Sequence, residues 1–204
     1  MLSTSLRELE KAGLHLEIRW EHLKEGLQSQ KKSALERLLN FFGVRRDEIQ
    51  DKTVPLVDIL EINGLPDALR ALRSVQGHEA AIRLFACEYA KMVFLDVYEC
   101  AYPKDNRPRY ALQMADWYAR GKYRVEEYVQ AIDAAWEASQ DAEYDASNKR
   151  AFLASTFIAY AAEGFVEVPK AGFKREDHIL KEFIRLCRLQ GKYAESTVLP
   201  AKVA

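Results

Sequence analysis

The stretch that decides the fold is HEAAIRLFACEYAKMVFLDVYEC, which runs from His78 to Cys100. Of its 23 residues, 16 are apolar, and they fall on nearly every side of a helix rather than on one stripe. A helix with this pattern is surrounded by protein, because any face left in water would expose apolar side chains. We therefore predict that His78–Cys100 forms a helix at the centre of the core.

Helical patterns continue on both sides of this central stretch. Pro55 and Pro66 each suit the first turn of a short helix, and Asn63-Gly64 marks the end of the first of them. Pro108 opens a helix that Gly121 ends. No strand pattern is strong enough to predict a sheet. The sequence predicts an all-α fold, a single bundle of about eight helices that begins with a long amphipathic helix.

Three more helices are predicted after Gly121. The first carries a stripe of larger apolar residues that we assign to its inward face, namely Val125, Val129, Ile132 and Trp136. The others are predicted at Ala142–Ala162 and at about Glu176–Gln190. We expect residues 1–50 to form an N-terminal helical hairpin, residues 51–192 the main helical domain, and residues 193–204 a flexible tail.

Composition argues against several classes of partner. The chain has 204 residues, 30% of them charged, and a formal net charge of −1, so no global field favours nucleic acid or an anionic membrane. Its three cysteines are an odd number and lie far apart, which is typical of reduced thiols in a cytosolic protein. The N-terminus lacks the apolar core of a signal peptide. We expect a cytoplasmic protein without direct contact to nucleic acid or membrane.

The N-terminal helix carries a heptad pattern. Its apolar positions alternate in steps of four and three, at Leu9, Gly13, Leu16, Trp20, Leu23 and Leu27. This pattern has two interpretations, which are packing on the chain's own core and the seam of a homodimer. Gly13 weakens the second, because it leaves a hole in the seam and costs about 1 kcal/mol of helix propensity.

An arginine turn precedes the helix that starts at Pro108. The sequence there is Asp105-Asn106-Arg107-Pro108-Arg109, and it puts two guanidinium groups at the positive end of a helix dipole. This placement is unfavourable unless the arginines pair with acids such as Glu99 or Asp105, or with an acidic group on a partner. The turn is therefore either a structural clamp between two core helices or a candidate binding site.

An acidic stripe is the second candidate site. Residues 125–145 contain seven carboxylates and no lysine or arginine. Four of them recur every fourth residue, at Asp133, Glu137, Asp141 and Asp145, and Glu126 precedes them. On a continuous helix they form one like-charged stripe, which is either an ordinary solvated face or a surface for a basic partner such as a nuclease. A helix break near Ser139–Asp141 would scatter it.

The sequence offers no support for catalysis or for a cofactor. The exposed carboxylates lack the burial that would separate the pKa values of an acid and a base. His15 and His22 have no third ligand in register, while His78 and His178 are isolated, so we expect no metal site. The chain also lacks a Gly-x-Ser-x-Gly turn, a phosphate loop and a dinucleotide fingerprint.

A resemblance to a known family rests on residues between Ile59 and Gly121. They are Ile59-Leu60, Asn63-Gly64-Leu65, Ala68-Leu69, Leu72-Arg73, Leu84-Phe85-Ala86-Cys87-Glu88-Tyr89-Ala90, Tyr98-Glu99, Pro103, Asp105, Arg107-Pro108-Arg109, Ala111, Ala115, Trp117 and Gly121. With these residues the chain resembles the bacterial and phage "putative immunity protein" family of polymorphic-toxin systems, over about residues 53–165. The acid-Asn-Arg-Pro-Arg turn and the Trp-x-x-x-Gly helix end are the most specific part.

The resemblance implies a small cytosolic helical protein that protects its producer by binding a toxin and has no chemistry of its own. The partner-binding residues we expect are Asp133, Glu137, Asp141, Asp145 and Glu126, with Arg107 and Arg109 as secondary candidates. Two alternatives remain open. One is a phage-encoded inhibitor of a host defence factor, and the other is an enzyme with a small-molecule pocket around Glu99, Arg107 and Arg109.

Overall fold

The computed structural model describes residues 1–11, 34–45, 51, 53–145, 148–166, 176–190 and 193. Within this part of the chain the fold is helical with one very small sheet, so the all-α prediction is confirmed. The chain divides into two compact units, Met1–Gln76 and Gly77–Ala204. No described helix combines the length and the apolar character that crossing a membrane requires.

The first unit contains a two-stranded ladder that the sequence analysis did not predict. Strand β1 (Ser3–Ser5) pairs antiparallel with β2 (Thr53–Pro55), with Ser3 opposite Pro55. Three residues per strand are too few to show an alternating pattern, which is why the expectation of no sheet was wrong here. The helices of the unit are α1 (Leu6–Lys11), α2 (Ala34–Phe42), α3 (Leu56–Asn63) and α4 (Leu65–Ala71), and a 3₁₀ turn follows at Leu72–Ser74.

The ladder joins the start of the chain to residues that follow position 50. The buried Thr4 side chain adds a second tie, since its Oγ1 donates to the carbonyl of Ser74 at 3.0 Å. The compact units therefore divide between Gln76 and Gly77, whereas the domain division after residue 50 stays a prediction.

Of the residues in the predicted homodimer seam, only Leu9 lies in the described part of the chain. Leu9 is fully buried, so it packs inside its own unit rather than on an outer surface. The other seam residues, Gly13, Leu16, Trp20, Leu23 and Leu27, lie outside the described part of the chain. The dimer stays a prediction.

The second unit begins with the predicted central helix. Helix α5 (Glu79–Ala90) passes through a π-helical segment (Lys91–Leu95) into α6 (Asp96–Ala101) without leaving helical geometry. Nine of the 12 residues of α5 are buried, as the apolar pattern predicted. The prediction of burial on all sides is wrong for the rest of the stretch, because only Phe94 and Leu95 of the π-helical segment and Tyr98 of α6 are buried. No residue pattern in this stretch predicts the π segment, which adds one residue to a helical turn.

Four further helices complete the second unit. They are α7 (Arg107–Ala119), α8 (Val125–Tyr144), α9 (Lys149–Glu163) and α10 (Glu176–Cys187). Helix α10 packs on α5, where the rings of Phe183 and Phe85 meet edge to face at 6.0 Å. Tyr193, which we assigned to a flexible tail, is buried and donates its hydroxyl to Glu182 Oε2 at 3.0 Å. Residues 194–204 lie outside the described part.

Helix α8 is longer than predicted. It runs unbroken through Ser139–Asp141 to Tyr144, and α9 begins only at Lys149, so the helix predicted at Ala142–Ala162 combined the end of one helix with most of the next. Because α8 has no break, Asp133, Glu137 and Asp141 share one helical face.

Candidate functional site

Asp105 organises the turn between α6 and α7. Its carboxylate accepts hydrogen bonds from the Arg107 backbone N at 3.0 Å, from Arg107 Nε at 3.0 and 3.1 Å, and from Arg107 Nη2 at 2.7 Å. The buried Tyr98 hydroxyl donates to the same carboxylate at 2.7 Å. Burial acts to raise the pKa of Asp105, but the bonds from Arg107 and Tyr98 outweigh it and hold that pKa below its usual range.

Arg107 connects this turn to the last part of α8. Its Nη2 lies 2.7 Å from Asp141 Oδ2, and 34 residues separate the two in sequence. Tyr102, at the start of the same turn, donates its hydroxyl to Asp145 Oδ2 at 2.9 Å. Two of the four stripe carboxylates are therefore engaged inside the unit. The stripe is not a uniform row of free charges.

Arg109 pairs with α6. Its Nε and Nη2 donate to the two carboxylate oxygens of Glu99 at 2.6 and 2.5 Å, which is the bidentate geometry of a strong guanidinium pair. Both arginines of the turn thus pair with the acids that the sequence analysis named for them, Asp105 and Glu99. This geometry is a clamp between α6 and α7 that also reaches α8.

The remaining stripe carboxylates face solvent. Asp133 and Glu137 are exposed on α8, and neither forms a hydrogen bond or ion pair with any described residue. Glu126, in the first turn of the helix, is exposed as well. The acidic surface is therefore centred on the N-terminal and middle turns of α8.

The inward face that we predicted for α8 is wrong. Val125 and Val129 are 48% and 45% exposed, and Ile132 and Trp136 are only partly buried. The buried residues of α8 are mostly small, namely Tyr128, Ala131, Ala135, Ala138, Ser139 and Ala142. Small side chains allow neighbouring helices to approach closely, and Ser139 Oγ lies 2.7 Å from Thr156 Oγ1 of α9. The spacing of the small residues, rather than that of the larger ones, indicates the inward face of α8.

Trp136 has a fixed orientation beside this outer face. Its indole Nε1 donates to Glu163 Oε1 at 2.7 Å, and its ring meets Tyr160 edge to face at 5.0 Å. Because both contacts come from α9, the ring is held in place while part of it stays accessible. A half-buried tryptophan therefore lies next to two exposed valines.

Other chemistry in the described ranges is sparse. No group of three or more His, Cys, Asp or Glu side chains there could hold a metal ion. Burial raises the pKa of the Cys87 thiol to about 12, which keeps it protonated and unreactive. A shallow, open depression of about 300 Å³ is lined by Val97, Cys100, Ala101, Asn148 and Arg150. Cys100 is the one potential nucleophile among these lining residues, and none of them is a His, Asp or Glu that could act as its base.

These features define a helical protein whose distinctive chemistry lies on the outer face of α8 and in the clamp between α6 and α7. Residues 73–162 match the family described as "Imm-5 like putative immunity protein". The match confirms the resemblance over this range, which contains the α6–α7 turn and all of α8, whereas the resembling residues from Ile59 to Leu72 lie outside it. No curated protein and no solved structure matches the chain.

Proposed function

We propose that this chain is an immunity-type protein that neutralises a toxin inside the producing cell by binding it, without catalysis. The observation that carries the proposal is the family match over residues 73–162, because members of this family are described as immunity proteins. A binding role also suits the site chemistry, since the described polar groups near the turn are engaged in internal pairs rather than directed into a pocket.

The proposed contact surface is the outer face of α8. Asp133, Glu137 and Glu126 are exposed there, and α8 contains no lysine or arginine. Carboxylates on such a face attract a basic partner and raise the association rate. A nuclease toxin, whose substrate groove is basic, is the class of partner that fits best, because carboxylates are able to occupy the positions of nucleic-acid phosphates.

Arg107 and Arg109 have a positioning role in this proposal rather than a direct contact. Arg107 holds Asp141 at 2.7 Å, and this bond fixes the last turns of α8 relative to the α6–α7 turn. Asp141 and Asp145 then support the surface from its C-terminal end, while Asp133 and Glu137 contact the partner.

The proposal is tested in two steps. The tagged protein is used to capture a partner from lysate of its native host at low and at moderate salt, and the retained domain is identified by mass spectrometry. That domain is then expressed alone and together with this chain, and growth of the cells is measured. We expect a toxic domain whose effect disappears on co-expression. A retained host defence subunit would support the phage-inhibitor alternative instead.

A titration separates binding from catalysis. Increasing amounts of this protein are added to the purified toxin, and the remaining toxin activity is measured. Inhibition by complex formation is complete at about one equivalent and does not increase with time. Progressive inactivation by a small fraction of an equivalent would contradict the non-enzymatic proposal.

A further inference from the structure

The outer face of α8 carries an apolar band in addition to its acidic residues. Val125, Val129, Ile132 and Trp136 are spaced by four, three and four residues, so they lie along one side of the helix. The two valines are 48% and 45% exposed, although valine is among the residues most often buried. From Val125 to Trp136 the band is about 16 Å long at 1.5 Å per residue.

The apolar band and the acidic residues are neighbours on the helix surface. Asp133 follows Val129 by four residues, which places it about 40° further round the helix. Glu137 continues the acidic band one turn later, and Glu126 begins it in the first turn of the helix. The exposed half of α8 therefore has two parallel bands, one apolar and one negatively charged.

Several contacts hold this face in one orientation. Tyr128 donates its hydroxyl to the carbonyl of Ala162 at 3.0 Å, and its ring stacks on Tyr118 at 4.3 Å. Trp136 is fixed by Glu163, and Asp141 by Arg107. A surface that is already ordered loses little conformational entropy on binding, which favours affinity.

We propose that this two-band face of α8 is the docking surface for an amphipathic helix of the partner, whose apolar residues are flanked by lysine and arginine. The proposal rests on the proposed function and specifies the partner chemistry. Val125, Val129 and Trp136 contact the apolar side of that helix, and the ordered indole acts as the anchor. Asp133 and Glu137 contact its basic flank, which sets the register and raises the association rate.

The proposal follows from two properties that an ordinary solvated face does not combine. A solvated face mixes both signs of charge, whereas α8 has carboxylates and no lysine or arginine along its 20 residues. A solvated face also rarely exposes several β-branched apolar residues in one line. Charge complementarity selects a basic partner, and the straight band about 16 Å long matches roughly three turns of a helix.

A defined peptide tests the surface without knowledge of the toxin. The probe is a synthetic helical peptide of about 18 residues, with leucines on one face and lysines on its flanks. One control peptide has serine in place of leucine, and another has glutamate in place of lysine. Each is titrated into the ¹⁵N-labelled full chain, and the affinity and the shifted amide signals are recorded. We expect the leucine–lysine peptide to shift the signals of Val129, Asp133 and the Trp136 indole. We expect the controls to bind at least about tenfold more weakly.

Matched variants separate the two bands. V129S should lower the affinity for the peptide by about threefold to tenfold. The control L153S changes a leucine that is 42% exposed on α9 and should leave that affinity within about twofold. D133K/E137K should lower the affinity for the peptide by about tenfold or more at low salt. Its matched control, E61K/D177K, has the same charge change at two other exposed carboxylates. Circular dichroism confirms that each variant is folded.

Three results would overturn the proposal. They are no detectable binding of the leucine–lysine peptide, shifted signals on other helices, and an affinity that V129S leaves unchanged. Failure of the docking surface is distinguishable from failure of the proposed function. If the wild type protects cells from its toxin and V125S/V129S and D133K/E137K protect equally well, the surface is wrong and the immunity role stands. If the wild type protects against no captured toxin, the proposed function fails, whatever the peptide does.

Discussion

Asp105→Ala should lower the free energy of unfolding of the second unit more than any change at an exposed carboxylate does. The Asp105 carboxylate accepts from the buried Tyr98 hydroxyl and from three nitrogens of Arg107. Alanine removes every one of these acceptors while the donors stay in place. Tyr98 is 1% exposed, so water cannot readily replace the lost bond.

The magnitude follows from the burial of the two donors. A buried hydroxyl without an acceptor costs about 1–3 kcal/mol. The Arg107 side chain is 33% exposed and keeps its bond to Asp141, so the loss of its bonds to Asp105 adds only about 0.5–1 kcal/mol. The free energy of unfolding should therefore fall by about 1.5–4 kcal/mol, most of it through Tyr98.

Urea unfolding measures this change. The assay follows both circular dichroism and the fluorescence of tryptophan, since Trp117 and Trp136 lie in the same unit as Asp105. With a slope of about 2–3 kcal/mol per molar urea, the midpoint should fall by about 1 M. The control is Asp133→Ala, which removes an exposed carboxylate without a described partner and should change stability by less than about 0.5 kcal/mol.

Equal urea midpoints for Asp105→Ala and Asp133→Ala, within error, would refute the expected role of the Asp105 carboxylate. That result would mean that the turn does not depend on its carboxylate, and the clamp described above would have no energetic role. An intermediate variant, Asp105→Asn, keeps one acceptor oxygen and should lie between the wild type and alanine.

Three further predictions concern pH, packing and thiol chemistry. Because the pKa of Asp105 is lowered by folding, its charge-dependent stabilisation is present above the unfolded pKa and is lost as pH falls through the folded value. The difference in unfolding free energy between the wild type and Asp105→Ala should therefore shrink below about pH 4, and a constant difference would contradict this origin. Ala135→Leu should cost about 1–3 kcal/mol in urea unfolding, because Ala135 is fully buried, whereas Val129→Leu on the exposed face should change little. A thiol reagent should label exposed Cys100 rapidly in the native protein and buried Cys87 only on unfolding; equal rates would show that Cys87 is accessible.

The helices and their ends were largely predictable because their signals are local. Gly64 and Gly121 follow the last turns of α3 and α7 with φ values of +87° and +67°, a conformation that glycine adopts without strain. The run from His78 to Cys100 is apolar on nearly all sides, and this pattern predicted the burial of α5 but not the partial exposure of α6, where only Tyr98 is buried.

The wrong predictions concern features that depend on how neighbouring helices pack. We assigned the larger residues of α8 to its inner face, but Ala131, Ala135 and Ala138 take that position because close helix packing favours small side chains. Sequence periodicity finds a stripe without deciding which of two stripes a neighbouring helix covers. The exposed valines next to the acidic residues could be recognised only once α7 and α9 were in place.

The candidate site was predictable in its residues but not in its pairing. Asp105 and Glu99 were identified as partners for the arginines because they are near in sequence. The bond from Arg107 to Asp141 spans 34 residues, so local patterns give no sign of it. Together with the bond from Tyr102 to Asp145, it divides the stripe into two carboxylates that have partners inside the unit and two that have no described partner.

The measurement that tests the central claim most directly is the association rate of the captured toxin with the wild type and with D133K/E137K, from low to high salt. Binding through the outer face of α8 predicts a rate about tenfold lower for the variant at low salt, with the two rates converging as salt rises. Equal rates for both proteins at every salt concentration would contradict binding through this face.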